Sequence, residues 1–349
     1  MCFLIASKFC DRMILMFDVV TIGTATKDVF LRSSLFKVLK DEKHLKKLGF
    51  VSGEAECFAL GSKLEVERPH YTLGGGAANA AVTFARAGLK TGAVVKTGDD
   101  EAGESIARAL EDERVKVFPA VDKKLGTGYS TILLNVGGER TILVYRGAAG
   151  NFAPKDIPRA SLRAKWAYVS PGTMDLSLMK QIIETLKRRG AKVAMVPSKK
   201  YVEMGMNKLK DIFRQIDVVV VNREEASRLT GVDYKKSRAI FKKFDDVVPG
   251  IAVMTDGANG SLVSDGRYIY RASIFKEKAL ADRTGAGDAF ASGFVTGLIR
   301  KNDVHYAMRY GAANATSVVE HIGAQTGILK KGDLNNKRWK YLDLDIEPL

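Results

Sequence analysis

The sequence predicts one α/β domain, a parallel sheet covered by helices on both faces. Two observations carry that expectation. From Lys165 onward, short apolar runs rich in β-branched residues alternate regularly with stretches of helical spacing. No internal repeat, low-complexity tract or proline-rich linker divides the 349 residues. By a prior of roughly 150 residues per domain, that length allows one large domain or two ordinary ones.

In chain order, residues 18–24 read as a short buried strand. Residues 32–60 are polar, with helix-like spacing at Phe36, Leu39, Leu45 and Leu48, and predict a surface helix and a loop. A glycine cluster at 73–78 opens a helix through Ala87, followed by a strand at 91–95 and a helix at 103–112. Residues 129–135 and 140–145 are β-branched and alternating, with a hairpin turn signal at 136–139 between them. Strands then fit 166–170, 192–196, 217–221 and 251–255, and helices fit 175–189, 201–213 and 223–229. A hairpin fits 261–271, and helices at 287–300 and 304–319 close the core.

Composition narrows the class. A hydrophobic content of 46% suffices for a substantial core. No apolar run reaches the ~18 residues that span a bilayer. Residues 1–15 are too interrupted by Lys8, Asp11 and Arg12 for a signal peptide, and are expected to be an N-terminal extension, with Met16 the alternative start. Cys2, Cys10 and Cys57 lack metal-ligand spacing, which fits a reducing, cytoplasmic setting. The net charge of +15 is spread along the chain. It reads as a solvated basic surface or a field for phosphorylated ligands, and no nucleic-acid motif accompanies it.

Two clusters carry chemistry. In Asp282-Arg283-Thr284-Gly285-Ala286-Gly287-Asp288-Ala289-Phe290, a Gly-Ala-Gly turn runs into an apolar helix. Small residues let backbone N–H groups approach an anion, and the helix dipole assists them. A carboxylate inside such a site makes sense if it takes a proton from a hydroxyl that attacks a phosphoryl group. The plainer alternative is a glycine turn with Asp288 as a first-turn helix acid. The second cluster is Gly74-Gly75-Gly76-Ala77-Ala78-Asn79-Ala80-Ala81, where Asn79 offers both a donor and an acceptor to a sugar hydroxyl. Its alternative is a flexible turn before a close-packed helix.

Together the two clusters resemble the N- and C-terminal signatures of the ribokinase (PfkB) carbohydrate kinases. Gly98-Asp99-Asp100-Glu101-Ala102-Gly103, Asn222-Arg223-Glu224-Glu225 and Thr255-Asp256-Gly257-Ala258-Asn259-Gly260 resemble further family segments in the same order. The resemblance covers residues 17–327. It implies a single Rossmann-like (ribokinase-like) three-layer α/β domain over 16–330, a small β lid drawn from 57–71 and 128–145, and a C-terminal tail at 331–349. It implies an ATP-dependent kinase of a sugar or sugar-like small molecule, with Mg2+.

By the same resemblance, Asp288 is the catalytic base, and Gly285, Ala286 and Gly287 form the anion hole. Asp28, Gly75, Gly76 and Asn79 take the substrate, with Arg146 either a candidate for an anionic group on it or a plain lid-edge arginine. Asn222, Glu225, Thr255, Gly257, Gly260 and Thr284 lie on the nucleotide side. Glu225, through water, and Asn222 place the metal. Asp28 as a turn residue and Glu225 as a first-turn helix acid are the bland alternatives. A homodimer and a monovalent cation are left open.

Three features depart from the family pattern. Residues 32–57 form a longer connection, Arg283 stands where a threonine is common, and the strand ending Tyr168-Val169-Ser170-Pro171-Gly172 lacks the substrate glutamate of true ribokinases. Nucleoside, sugar-acid and phosphosugar acceptors therefore stay beside sugars. An NAD-linked oxidoreductase needs G-x-G-x-x-G after the first strand, and Gly23-Thr24-Ala25-Thr26 does not supply it. A non-catalytic binding module is disfavoured by Asp288, Asn222 and Glu225 occurring together.

Overall fold

The structure is a computed structural model and describes residues 16–49, 53–135 and 140–349. The expected extension at 1–15 and hairpin turn at 136–139 lie outside the described residues.

The strands are β1 (Phe17–Gly23), β2 (Thr26–Arg32), β3 (Lys37–Lys40), β4 (Glu54–Cys57), β5 (His70–Gly74), β6 (Thr91–Gly98), β7 (Lys116–Asp122) and β8 (Tyr129–Leu134). They continue with β9 (Arg140–Tyr145), β10 (Ala164–Ser170), β11 (Lys192–Met195), β12 (Val218–Asn222), β13 (Ile251–Thr255), β14 (Ser261–Ser264), β15 (Tyr268–Ala272) and β16 (Leu344–Pro348). The helices are α1 (Glu42–Lys47), α2 (Gly76–Arg86), α3 (Glu101–Asp112), α4 (Leu176–Arg188) and α5 (Lys199–Phe213). They continue with α6 (Arg223–Thr230), α7 (Ser237–Asp245), α8 (Ala286–Lys301) and α9 (Val304–Val319).

The main sheet has the order β16-β15-β14-β13-β12-β11-β10-β1-β6-β7. From β7 to β13 neighbouring strands are parallel, and β14, β15 and β16 add an antiparallel edge. Alternate side chains serve two cores. Along β10, Ala167 and Val169 face α4 to α7, whereas Trp166 and Tyr168 face α2, α8 and α9. This is the three-layer arrangement, and burial on both faces explains why residues 166–169 of β10 read as an unbroken apolar run. Strand order reverses at β1, which lies between β6 and β10. The carboxyl ends of those strands are therefore the switch point, where open α/β sheets hold their ligands.

A second sheet, β5-β2-β8-β9, forms the lid. Residues 128–145 contribute β8 and β9 as expected, but 58–69 form no strand, and the remaining two strands are β5 and β2. The 32–60 stretch is not one helix with a loop. β3 pairs antiparallel with β4, and only 42–47 is helical, capped by Asp41. Leu39 faces solvent on β3, so its spacing with Leu45 is a coincidence of two elements. The expected tail at 331–349 is part of the domain: Trp339 is buried edge-to-face on Phe275, and β16 pairs with β15. Among the described residues no helix is long and apolar enough to cross a membrane.

Candidate active site

Asp288 lies in the first turn of α8, and the turn before it is shaped by Asp282. That buried carboxylate accepts from the Thr284 backbone at 2.9 Å, the Thr284 hydroxyl at 2.8 Å and the Gly323 N–H at 3.2 Å. Thr284 therefore spends its hydroxyl on the turn. Gly285 takes the left-handed φ of 78° that starts the helix, and its α-carbon faces Ala324. The Ala286 N–H reaches the Arg283 carbonyl at 3.4 Å, and the Ala289 N–H donates to the Gly285 carbonyl at 2.8 Å. The N–H groups between them point out of the start of the helix, where an anion is favoured.

The glycine cluster approaches from the opposite side. Gly75 has φ of 92° and packs on Ala25, where a Cβ would lie 2.6 Å from the Ala25 Cα. A Cβ on Gly76 would lie 2.2 Å from the Ser170 Oγ and 3.3 Å from the Asp288 Oδ1. These glycines let the start of α2 settle against the end of β10 and against Asp288. Asn79, buried on α2, then donates its amide to the Asp288 Oδ2 at 2.9 Å, across 209 residues of sequence. The two clusters read separately from the sequence are one site.

Burial pushes the Asp288 carboxyl above the usual carboxylate range, the Asn79 amide opposes that shift, and the charge of Asp28 adds to it. Asp28 itself is buried on lid strand β2, bonded by the Thr26 hydroxyl at 2.9 Å. Burial raises its carboxyl too, while the Ser130 and Thr26 hydroxyls hold it down. Two carboxylates, one on the lid and one on the domain, thus lie near enough for one charge to act on the other. That is an arrangement for holding hydroxyls and taking a proton from one of them.

On the other side of the α8 turn, Thr255, Gly257, Gly260, Ala286 and Gly287 line a cavity of about 120 Å3, closed by Phe290, Ala312 and Thr316 among others. Gly257 has φ of 55° with nothing near its missing Cβ, and Gly287 is open in the same way. This small-residue, largely apolar slot opens beside the start of α8.

Asn222 lies next to Thr255 across the β12–β13 register, at the same sheet edge. Asn222 and Glu225 form a capping box: the Asn222 Oδ1 accepts from the Glu225 N–H at 2.8 Å, and the Glu225 Oε2 from the Asn222 N–H at 2.9 Å. Burial raises the Glu225 carboxyl. Among the described residues no three His, Cys, Asp or Glu side chains gather around a metal position. Arg146 is exposed at the lid base, and its guanidinium has no hydrogen-bond or ion-pair partner among the described residues.

Sequence reading missed several neighbours. Arg223 bonds Asp256 at 2.6 Å and lies 4.8 Å over the Tyr234 ring, whose hydroxyl also reaches Asp256 at 3.0 Å, so α6 and the glycine turn after β13 are locked together. The Gln325 amide donates to the Asn79 Oδ1 at 2.9 Å. Only the flanking Gly323 and Gly327 hinted at a built turn there.

A carboxylate at a glycine-rich helix start, with a second carboxylate on the β lid, suits a phosphotransferase with an alcohol acceptor. Residues 44–331 match the family described as pfkB family carbohydrate kinase, and the chain belongs to that family. A cytidine kinase of Thermococcus kodakarensis is 29% identical over 283 residues, covering 79% of this chain and 96% of that protein. A ribokinase of Haemophilus influenzae is 28% identical over 276 residues, covering 77% of this chain and 88% of the other. In fold, the chain is similar to Arabidopsis thaliana ribokinase complexed with ribose and ATP, with a TM-score of 0.72 at 22% identity over 94% of this chain and 100% of that one.

Proposed function

We propose that the protein transfers the γ-phosphoryl group of ATP to a hydroxyl of a sugar or sugar-like small molecule. The observation that carries this reading is the Asn79–Asp288 bond, which joins the acceptor side to the phosphoryl side. Asp28 holds acceptor hydroxyls and Asp288 takes the proton of the attacking one. The N–H groups from Gly285 to Gly287 meet the charge that spreads over the transferring group. Lid closure keeps water from competing as acceptor. Thr255, Gly257 and Gly260 border the base of the nucleotide. Mg2+ bound with ATP would supply charge neutralisation, placed by Asn222 and, through water, by Glu225. A nucleoside acceptor is the second reading, supported by the similarity to a cytidine kinase and by Ser170 in place of a long acid at the end of β10.

A coupled assay of ADP release with Mg2+ and ATP, across sugars, sugar acids, phosphosugars and nucleosides, tests both readings. Acceptor-dependent release from sugars or from nucleosides decides between them. Release independent of every acceptor, from folded protein, would overturn both.

Division of labour across the cleft gives a second expected result. Removing Asp28 takes a charged partner from acceptor hydroxyls, at about 1.5–3 kcal/mol per bond. Asp28→Ala should weaken acceptor binding at least about tenfold and leave ATP affinity nearly unchanged. Calorimetric titration of each ligand checks it. Loss of ATP binding with acceptor binding intact would reassign the lid residues.

A further inference from the structure

Asn79 is held on both sides of its amide. Its NH2 donates to Asp288 at 2.9 Å and its carbonyl oxygen accepts from the Gln325 Nε2 at 2.9 Å. We infer that Gln325 is a positioning residue for the catalytic base, acting through Asn79. This inference rests on the reading of Asp288 as that base.

The chemistry of the three groups fixes the direction. A carboxylate only accepts, so it requires the NH2 of Asn79, and the Asn79 oxygen then requires a donor behind it. A protonated Asp288 could instead donate to the Asn79 oxygen, with the amide turned over. By donating to that oxygen, Gln325 opposes the turned-over state and favours the carboxylate form of Asp288, the form that can accept a proton. Asn79 is only 4% exposed, so water does not freely replace either partner.

The donor is itself held in place. Arg86 donates to the Gln325 backbone carbonyl at 2.7 Å, which fixes the main chain that carries the donor, and its Nε and Nη2 grip Glu113 at 3.1 and 2.5 Å. The preceding Gly323 is tied to Asp282, and Ala324 packs on Gly285, where a Cβ would approach within 2.4 Å. One turn, 323–325, thus packs on the α8 turn through its backbone and on Asn79, the partner of Asp288, through its side chain. Gln325 is not an acceptor contact, because Asn79 lies between it and Asp288.

The test is the pH dependence of kcat, with Mg2+, ATP and the best acceptor, for Gln325→Met, Gln325→Glu and each change combined with Asn79→Ala. Around Asp288 and Gln325 lie Asp28 on the lid, Tyr168 on β10, the Arg86–Glu113 pair and the exposed His321. All are common to the variants, so differences report on position 325. Gln325→Met removes the donor and should lower kcat about 3–10-fold on the acid limb while sparing the alkaline plateau, as for a base whose protonation midpoint rises by up to about one unit. Gln325→Glu, which can only accept when ionised, should turn the Asn79 amide and displace the limb further. Neither change should add to the effect of Asn79→Ala.

Nucleotide binding and thermal melting establish that each variant is folded. Gln325→Glu serves where Gln325→Met does not fold. A uniform fall in kcat at all pH values, an unshifted limb, or full additivity with Asn79→Ala would overturn the inference while Asp288→Asn stays inactive. An active Asp288→Asn would instead bring down the underlying reading of the base.

Discussion

Asp288→Asn is expected to lower turnover about 10²–10⁴-fold while the protein stays folded and binds ATP, the usual contribution of a positioned base. An amide of the same shape keeps the packing against Gly76 and a polar partner for Asn79, but it cannot take the proton of the attacking hydroxyl. Stability gives an independent reading. The folded carboxyl titrates above its usual value of 3.8, so the folded state holds the proton more tightly than the unfolded chain. Ionised Asp288 therefore weakens the fold. The wild type should lose stability relative to Asp288→Asn as pH rises from about 3.8 through the raised folded value, and should match it below. Rate assays with the best acceptor and urea unfolding on both sides of that window check the two halves. Near-wild-type turnover in the folded variant would falsify the base assignment.

The elements legible in the sequence were those whose stability is local or whose surroundings are uniform. Strands β10 to β13 are buried on both faces, so their composition announces them. The two glycine clusters were legible because close backbone approach admits few residues. The unread strands are the peripheral ones. β7 carries Pro119 and Lys116 at one sheet edge, and β16 carries Asp345, Glu347 and Pro348 at the other. Edges tolerate charge and proline, which blurs the strand signal. β5 is set by its pairing with β2, and β2 by its pairing with β5 and β8, not by their own pattern. Within the site, Asp288 and Asn79 were visible as motif residues, but Gln325 was not. Its meaning lies in a partner 246 residues away, and a lone glutamine has no pattern. Asn222 and Glu225 show the reverse limit. The sequence marks them as a pair, yet the same spacing also builds a helix cap, and the structure displays the cap.

Gly285→Ala is the second substitution with a large expected effect. Gly285 holds φ of 78°, which a side chain resists, and the new Cβ would fall 2.4 Å from the Ala324 Cβ and 2.7 Å from its Cα. Neither obstacle is a flexible side-chain end, so either the α8 turn or the 323–325 turn must move. Movement of the α8 turn takes N–H donors away from the transferring group, and losing one such donor lowers kcat about 10²–10³-fold. The distinction from Asp288→Asn lies in the pH profile, because the base is still present and an acid limb should persist at reduced height. Gly287→Ala provides the contrast, since nothing stands within 4 Å of its Cβ in the protein. That change should spare thermal stability and act only where a bound nucleotide fills the same space, weakening ATP affinity. Parallel melting, calorimetry and rate measurements on the two variants separate strain from obstruction. If Gly285→Ala keeps wild-type kcat while melting normally, the turn at 285–287 is not the anion hole.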